Sequence, residues 1–191
     1  MKSARLIGVV ARRLSRAFVV LTLAVSGLSV SGIAAQPAAK QPDIHFVATP
    51  QPVADAMLKL AGVRPGDVVY DLGSGDGRIV VLAAQKYGAR GVGIEIDRRL
   101  VEISRQVARE GEVDDRVSFI EGDLFAADLS KATVVTLWLS ETVNARLEAK
   151  LKRELPPGAR VVSHQFPIGR WPPDRQILAD GEDIYLWIIK N

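Results

Sequence analysis

Residues 71–79, Asp-Leu-Gly-Ser-Gly-Asp-Gly-Arg-Ile, place three glycines on alternate positions among two acidic side chains. The segment overlaps the end of an apolar run, Val68–Leu72, and leads into a second one, so it is typical of a turn between a buried strand and a helix. Glycines there permit positive φ angles and let a bound molecule approach the main chain closely. The free amides of the following helix can face a polar group. The segment therefore indicates a turn that holds a ligand against the backbone.

The spacing of the glycines argues against a phosphate ligand. Dinucleotide-binding turns read G-x-G-x-x-G and set pyrophosphate on the helix N-terminus, whereas this turn reads G-x-G-x-G. Asp71 and Asp76 bracket it with negative charge, which repels pyrophosphate and suits a ligand that carries an ammonium and a sulfonium. No Gly-Lys-Ser/Thr follows, so the turn is not a P-loop. For the glycines alone, an ordinary tight turn is an equally good interpretation.

Acidic residues also follow the next two predicted strands. Glu95 and Asp97 come about 20 residues after the glycine turn, where a carboxylate can accept hydrogen bonds from both hydroxyls of a ribose. Asp123 follows the third strand, placed to accept from an adenine amino group. Plainer interpretations exist, namely a helix N-cap for Asp97 and a polar turn for Asp123. Three acids at three successive strand ends form a stronger pattern than any one of them.

Strands and helices alternate along the chain, which predicts an α/β fold with a parallel sheet covered on both faces. The apolar runs predict strands at Val68–Leu72, Gly91–Glu95, Val117–Glu121, Val134–Leu139 and Arg160–His164. The amphipathic segments predict helices at Gln51–Ala61, Arg78–Tyr87, Arg98–Glu110 and Val143–Leu155. Residues 165–175 contain three prolines and are predicted as a loop, and a hairpin around Ala179–Gly181 adds antiparallel pairing.

The amino-acid composition argues against a metal site and against a nucleic-acid partner. The chain has no cysteine and only two histidines, so we expect no metal site. Residues 1–40 contain six basic residues and no acidic ones, which leaves 19 basic and 22 acidic residues for the rest. Nucleic-acid binding depends on clustered Lys and Arg, so we expect no nucleic-acid partner.

The N-terminus has the pattern of a targeting segment. Basic residues up to Arg16 precede an uncharged run, residues 17–35, and small residues around Ala35 are typical of a cleavage site. We predict a signal or anchor segment with its linker over residues 1–40 and one domain over residues 41–191. The protein would then be exported (periplasmic) or anchored in a membrane through residues 17–35. A mitochondrial address is the alternative, because the segment is rich in arginine and lacks acids.

The motifs DLGSGDGRI, GVGIEID and FIEGDLF resemble the cofactor motifs of class I S-adenosylmethionine-dependent methyltransferases. The resemblance implies a Rossmann-like, doubly wound, seven-stranded and mostly parallel sheet with an antiparallel C-terminal hairpin. It implies that Asp71 contacts the amino-acid part of S-adenosylmethionine, Glu95 the ribose and Asp123 the adenine. The cofactor site that it implies also includes their neighbours Leu72, Gly73, Ser74, Gly75, Gly77, Ile96 and Leu124.

The segments HFVATPQPV and LPPGARVVSHQFPIGRW, together with the glycine turn, resemble a small family of protein-lysine methyltransferases. Its mitochondrial members modify the ATP synthase c subunit and the adenine nucleotide carrier. The resemblance implies a protein partner that presents a lysine side chain. A lysine must lose its proton before it accepts a methyl group, and desolvation in a partly apolar pocket favours that loss.

Candidates for the acceptor pocket lie before the first helix and after the fourth and fifth strands. They are the aromatic residues Phe46, Trp138 and Phe166, as substrate contacts, and the polar residues Thr49, Ser140 and His164, as catalytic candidates. Competing interpretations make Trp138 a core residue, Ser140 a helix cap and His164 a hydrogen-bonded residue at a strand end. No catalytic triad is visible.

Two other functions are compatible with the sequence. One is a methyltransferase of the same fold that acts on a small molecule or on RNA. The other is an exported binding module without catalytic activity, which would explain why a domain with a cytosolic cofactor carries an export pattern. The sequence makes no prediction about oligomeric state.

Overall fold

The computed structural model describes residues 47–190, which form an α/β fold with one sheet between two layers. The helices are α1 (Gln51–Leu60), α2 (Arg78–Tyr87), α3 (Arg98–Glu110) and α4 (Glu141–Glu154). The strands are β1 (Val68–Leu72), β2 (Arg90–Glu95), β3 (Val117–Glu121), β4 (Val134–Leu137), β5 (Arg160–His164), β6 (Arg175–Ala179) and β7 (Glu182–Ile188). The alternation predicted from the sequence is therefore present.

The sheet has the strand order β3-β2-β1-β4-β5-β7-β6. Strands β1 to β5 are parallel to one another, and β7 pairs antiparallel with both β5 and β6. The chain builds outward from β1 through β2 and β3, then returns to place β4 on the other side of β1. Ligands of open α/β sheets bind outside the carboxyl ends of the strands at such a reversal. We therefore expect a ligand site at the carboxyl ends of β1 and β4.

Apolar side chains form one buried cluster on each face of the sheet. The first cluster includes residues of α1, α2 and α3, such as Met57 and Val80. The second includes residues of α4, such as Leu147, together with Ile168 and the buried Trp187. Because successive side chains of a strand point to opposite faces, neighbouring residues such as Val161 and Val162 supply opposite clusters. Both faces are covered, as the apolar strands predicted.

The helix starts carry the caps that the sequence indicated. The Asp97 carboxylate accepts a hydrogen bond from the Arg99 amide at 2.8 Å, which confirms its interpretation as the N-cap of α3. The Ser140 hydroxyl accepts from the Val143 amide at 3.3 Å and caps α4, which begins two residues before the predicted start. Gly88 ends α2 in the left-handed conformation.

A polar network ties together the amino ends of three strands, opposite the candidate site. The Arg160 guanidinium of β5 pairs with the Asp67 carboxylate just before β1. Thr133, just before β4, donates its hydroxyl to the same carboxylate at 2.8 Å and accepts from the Val68 amide at 2.9 Å. Only 8% of the Asp67 side chain is exposed, so the pair is largely screened from solvent.

The predicted Rossmann-like fold is confirmed, including the loop at residues 165–174 and the hairpin of β6 and β7. Strand β4 ends at Leu137 rather than Leu139, because pairing with β1 and β5 stops there. The predicted targeting segment lies outside the described residues. Within residues 47–190, no helix is long and apolar enough to cross a membrane.

Candidate active site

An open cleft lies at the carboxyl ends of β1 and β4, where about 300 Å³ of empty space is continuous with the solvent. One wall is the glycine turn after β1, with the start of α2. The other lining residues are Trp138, which follows β4, and the segment before α1, Val47 to Thr49. The lining residues are Val47, Ala48, Thr49, Asp71, Gly73, Ser74, Asp76, Arg78, Ile79 and Trp138.

The glycine turn is held against the end of β2 by backbone hydrogen bonds. The amides of Gly73 and Ser74 both donate to the Ile94 carbonyl, at 2.8 and 3.0 Å. Gly73, Gly75 and Gly77 all have positive φ, which glycine adopts without the steric cost that a Cβ brings. At Gly77 a Cβ would also lie only 2.5 Å from the Phe119 ring. Both the conformation and the packing of the turn therefore require glycine at Gly77.

Glu95 bridges the end of β2 and the glycine turn. Its Oε2 accepts a hydrogen bond from the Gly75 amide at 2.9 Å. Its Oε1 accepts from the amides of Ile96 and Asp97, at 2.8 and 2.9 Å. A carboxylate offers about four lone-pair positions, so it retains room for a further donor. Such an acceptor at this strand end fits the hydroxyls of a ribose.

Asp71 is a buried carboxyl group at the floor of the cleft. Its Oδ1 accepts a hydrogen bond from the Thr136 hydroxyl of β4 at 2.6 Å. Burial, together with the negative charges of Glu95 and Asp76, raises the pKa of Asp71 to about 7. Among the described residues no basic side chain forms an ion pair with it. A carboxyl group in this setting fits a cationic ligand.

Arg78 fastens the segment before α1 to the glycine turn. Its Nη1 donates to the Thr49 carbonyl at 3.0 Å, and its Nη2 donates to Asp76 at 2.6 Å. The hydrogen bonds to Asp76 raise the pKa of Arg78, so the guanidinium stays charged. Thr49 is buried, and this contact places its backbone at the edge of the cleft.

Ser74 lines the cleft, but its hydroxyl lies beneath the turn, close to where a Cβ on Gly93 of β2 would stand. Its hydroxyl is buried and has no hydrogen-bond partner among the described residues. The buried carboxyl group of Asp71 and the acceptor Glu95 fit S-adenosylmethionine, whose cationic amino-acid part and ribose need such groups.

The remaining predicted cofactor residues lie on the same edge of the sheet. The Asp123 carboxylate accepts from the Phe125 amide at 3.0 Å, which orders the loop after β3. Ile96 and Leu124, which follow β2 and β3 along the chain, are partly buried. Leu72 is completely buried, so only its backbone is available to a ligand. The roles assigned to these residues stay predictions.

The acceptor candidates are brought together only in part. Trp138 lines the cleft, whereas His164 lies buried with its ring centroid 4.6 Å from that of Trp138. Ser140 serves as the cap of α4. Phe166 is partly buried and does not line the cleft, and Phe46 lies outside the described residues.

Two residues of this site were not singled out from the sequence. Thr136 is a polar residue inside the apolar run VVTLWL, and it is the partner of Asp71. A lone hydroxyl in a buried strand signals a polar neighbour, but not which one. Arg78 occupies the first position of α2, where its long side chain reaches back over the turn.

Comparison with known proteins places this cleft in a family. The model of the ANTKMT methyltransferase domain matches residues 71–175. A protein-lysine N-methyltransferase of Saccharolobus islandicus is 44% identical over 154 residues, covering 78% of this chain and 95% of the relative. The adenine nucleotide translocase lysine N-methyltransferase of Mus musculus is 37% identical, covering 90% of this chain and 77% of that protein.

A solved structure shares both fold and sequence with this chain. It is an RNA methyltransferase from Salinibacter ruber in complex with S-adenosyl-L-homocysteine, which is 56% identical with a TM-score of 0.75. The match covers 76% of this chain and 95% of that one. S-adenosyl-L-homocysteine is what S-adenosylmethionine becomes after it gives up its methyl group, so the match supports this cofactor for the cleft.

The comparisons correct the predicted location. Export and membrane anchoring were predicted from the composition of residues 1–40, which lie outside the described residues, and that prediction is wrong. The finding that overturns it is the match to the archaeal protein-lysine N-methyltransferase, 95% of which is covered by an alignment of 154 residues. The location was inferred from the apolar composition of residues 17–35, and composition alone does not distinguish a targeting segment from another apolar segment.

The glycine turn and the buried carboxyl group of Asp71 line the cleft, and Glu95 at the end of β2 is hydrogen-bonded to that turn. These features fit S-adenosylmethionine, and the family model and the relatives agree with this assignment. The chain belongs to the ANTKMT methyltransferase domain family and is an S-adenosylmethionine-dependent methyltransferase.

Proposed function

We propose that this protein transfers the methyl group of S-adenosylmethionine to the side-chain nitrogen of lysine residues in a protein. The observation that carries the proposal is that the carboxyl groups of the glycine turn and the indole of Trp138 line one cleft. The names of the archaeal and mouse relatives, both lysine N-methyltransferases, support the same reaction.

The residues of the turn would hold the cofactor. We assign the cationic amino-acid part to Asp71 and Ser74 and the ribose to Glu95, with the adenine near Asp123. When bound, S-adenosylmethionine supplies an electrophilic methyl group on a sulfonium, which needs little besides alignment with its acceptor. The task of this chain is therefore to orient the two molecules and keep water away from them.

The acceptor lysine arrives as an ammonium and has no lone pair until it loses a proton. Ile79 and Trp138 give part of the cleft an apolar lining, and desolvation there lowers the pKa of an amine, against the carboxylates of Asp71 and Asp76, which raise it. The Trp138 ring offers a π-face to the approaching cation. The ammonium can lose its proton to solvent as it enters the open cleft, before the bound cofactor and protein exclude water from it. No side chain is assigned as a general base.

A methylation assay tests this proposal. The purified chain is incubated with methyl-tritiated S-adenosylmethionine and either recombinant adenine nucleotide translocase or poly-L-lysine, and labelled residues are identified by mass spectrometry. We expect label on lysine that disappears in Asp71→Ala and persists in the surface variant Glu102→Ala. Cofactor binding without label on either protein would contradict the lysine acceptor.

A second candidate function is methylation of RNA, which the name of the Salinibacter ruber protein favours. The acidic groups Asp71, Asp76 and Glu95 around the turn repel phosphates, which argues for a protein acceptor. A parallel incubation with total ribosomal RNA separates the two functions. Label that is removed by nuclease and not by protease would replace the lysine proposal.

A further inference from the structure

His164 is a buried histidine that the proposed reaction does not yet use. Only 2% of its side chain is exposed, and neither imidazole nitrogen has a hydrogen-bond partner among the described residues. Buried polar atoms are normally paired, and leaving two nitrogens unpaired costs stability relative to an apolar residue of similar size. Because an apolar side chain would pack here without this loss of stability, we expect His164 to have a role besides packing.

The two neighbours of His164 connect it to the cleft and to solvent. On one side its ring lies 4.6 Å from the Trp138 ring, between centroids, with the planes inclined by 38°. On the other side its Nε2 lies 3.6 Å from Oε2 of Glu182, whose side chain is 40% exposed. Trp138 lines the cleft and His164 does not. The three side chains therefore form a row from the cleft wall to the surface.

The sheet fixes the positions of these three residues. Trp138 directly follows the last paired residue of β4, Leu137, which is in register with Ser163, so it lies beside His164. His164 is in register with Ile184 of β7, two residues after Glu182. The Gln165 amide donates to the Asp183 carbonyl at 2.7 Å and closes the same corner. The row follows from strand pairing and does not depend on a loose loop.

We propose that His164 is a positioning residue for the methyl acceptor: it sets the plane of the Trp138 ring that lines the cleft, and the negative charge of Glu182, 3.6 Å from Nε2, attracts that edge of the imidazole without a hydrogen bond. The proposal rests on the proposed function and adds the element that shapes its acceptor wall. A tilted aromatic pair fixes the relative planes of both rings. A phenylalanine would fill the space but would lose this attraction by Glu182. Burial lowers the pKa of His164, and this effect outweighs the charge of Glu182, which raises the pKa. The neutral form of the ring is therefore favoured here.

A double-mutant cycle tests whether His164 acts through Trp138. We expect His164→Ala to raise the KM for adenine nucleotide translocase by about 2- to 12-fold, the range that an aromatic pair contributes. The affinity for S-adenosylmethionine should change less than about twofold, and His164→Phe should recover part of the loss. In a Trp138→Ala background, adding His164→Ala should have no further effect on this KM. Additive effects would overturn the proposal.

A second measurement needs no acceptor. With 5-fluorotryptophan incorporated, the chain gives three ¹⁹F signals, from Trp138, Trp171 and Trp187, and Trp138→Phe assigns the first. We expect His164→Ala to shift or broaden the Trp138 signal, and Glu182→Gln to shift it less. The matched control is Val162→Ala, because Val162 is buried two residues earlier on the same face of β5. It should leave the Trp138 signal in place.

The outcomes separate this proposal from the proposed function. A Trp138 signal that is unchanged in His164→Ala, or moved equally by Val162→Ala, overturns the positioning role alone. If the wild type transfers no methyl group to either protein probe, the lysine function fails and the acceptor role of His164 fails with it. The expected ¹⁹F shift together with the expected KM change supports both.

Discussion

The Oε2 atom of Glu95 accepts a hydrogen bond from the Gly75 amide at 2.9 Å, across 20 residues of sequence. One carboxylate thus fixes the glycine turn to the end of β2 while its other oxygen holds the Ile96 and Asp97 amides. The groups assigned to the ribose and to the amino-acid part of the cofactor are therefore mechanically joined. A substitution of Glu95 should therefore disturb both the group assigned to the ribose and the turn assigned to the amino-acid part of the cofactor.

The first prediction concerns that joint. Glu95→Ala should weaken binding of S-adenosylmethionine by at least about 100-fold, because it removes a charged acceptor and loosens the turn. It should also lower the free energy of unfolding by about 1–3 kcal/mol, since three amides lose their partner. Titration calorimetry and urea unfolding measure the two effects. Glu102→Ala, which removes an exposed ion pair on α3, is the control and should change neither.

The second prediction concerns the pH dependence of folding. The pKa of Asp71 is about 7 in the folded chain, whereas its ordinary value of 3.8 applies to the unfolded chain. As the pH rises, the unfolded chain therefore loses this proton at a lower pH than the folded chain does. Asp71 therefore destabilises the fold progressively between about pH 4 and pH 7. Without cofactor, Asp71→Asn should be more stable than wild type at pH 8, by up to about 4 kcal/mol, and equal to it below pH 4. Urea unfolding from about pH 4 to pH 8 measures this difference in the free energy of unfolding. A difference that is the same at every pH would contradict the raised pKa of Asp71.

The same group should make cofactor binding depend on pH. A cation beside Asp71 favours the carboxylate, so binding below pH 7 must release its proton. We expect the affinity for S-adenosylmethionine to fall as the pH drops from 8 to 5, by at most about tenfold per unit. Calorimetry in two buffers of different ionisation enthalpy counts the proton released. Proton release that is unchanged in Asp71→Asn would assign it to another group.

The third prediction separates backbone strain from packing at the glycine turn. Gly77 and Gly181 both have φ of 80°, but a Cβ at Gly77 meets Phe119 at 2.5 Å and a Cβ at Gly181 meets nothing within 4 Å. Gly181→Ala should cost about 1–2 kcal/mol of strain. Gly77→Ala should cost more and abolish cofactor binding, because the ring or the turn must move. Equal losses of stability in thermal or urea unfolding would show that strain alone decides.

The fourth prediction concerns the polar network at the opposite end of the sheet. Burial opposes ionisation of Asp67, but its hydrogen bonds with Thr133 and Arg160 outweigh burial and hold its pKa below the ordinary value. Asp67→Ala leaves Arg160 largely buried without its partner and should cost about 3 kcal/mol in urea unfolding. Asp115→Ala breaks an exposed pair with Arg116 and should change stability by less than about 0.5 kcal/mol. Cofactor affinity should survive both.

Local patterns predicted most of the fold. The glycines at 73, 75 and 77 and the apolar run before them placed the end of β1, and the acids Glu95 and Asp123 marked the next two strand ends correctly. Turn chemistry and hydrophobic period act over a few residues, so they can be read without knowing which strands pair. The same locality explains why the predicted location was wrong, because it was inferred from the composition of residues 1–40 alone.

The sequence by itself therefore determined the alternation of strands and helices and the cofactor turn, because those depend on neighbouring residues. Only the tertiary structure decided that Thr136 donates to Asp71, 65 residues away, and that Trp138 packs on His164 beside the cleft. Both contacts exist because β4 returns to pair between β1 and β5. That choice of partner is made by burial of whole strand faces over the entire sheet, and no short stretch of residues encodes it.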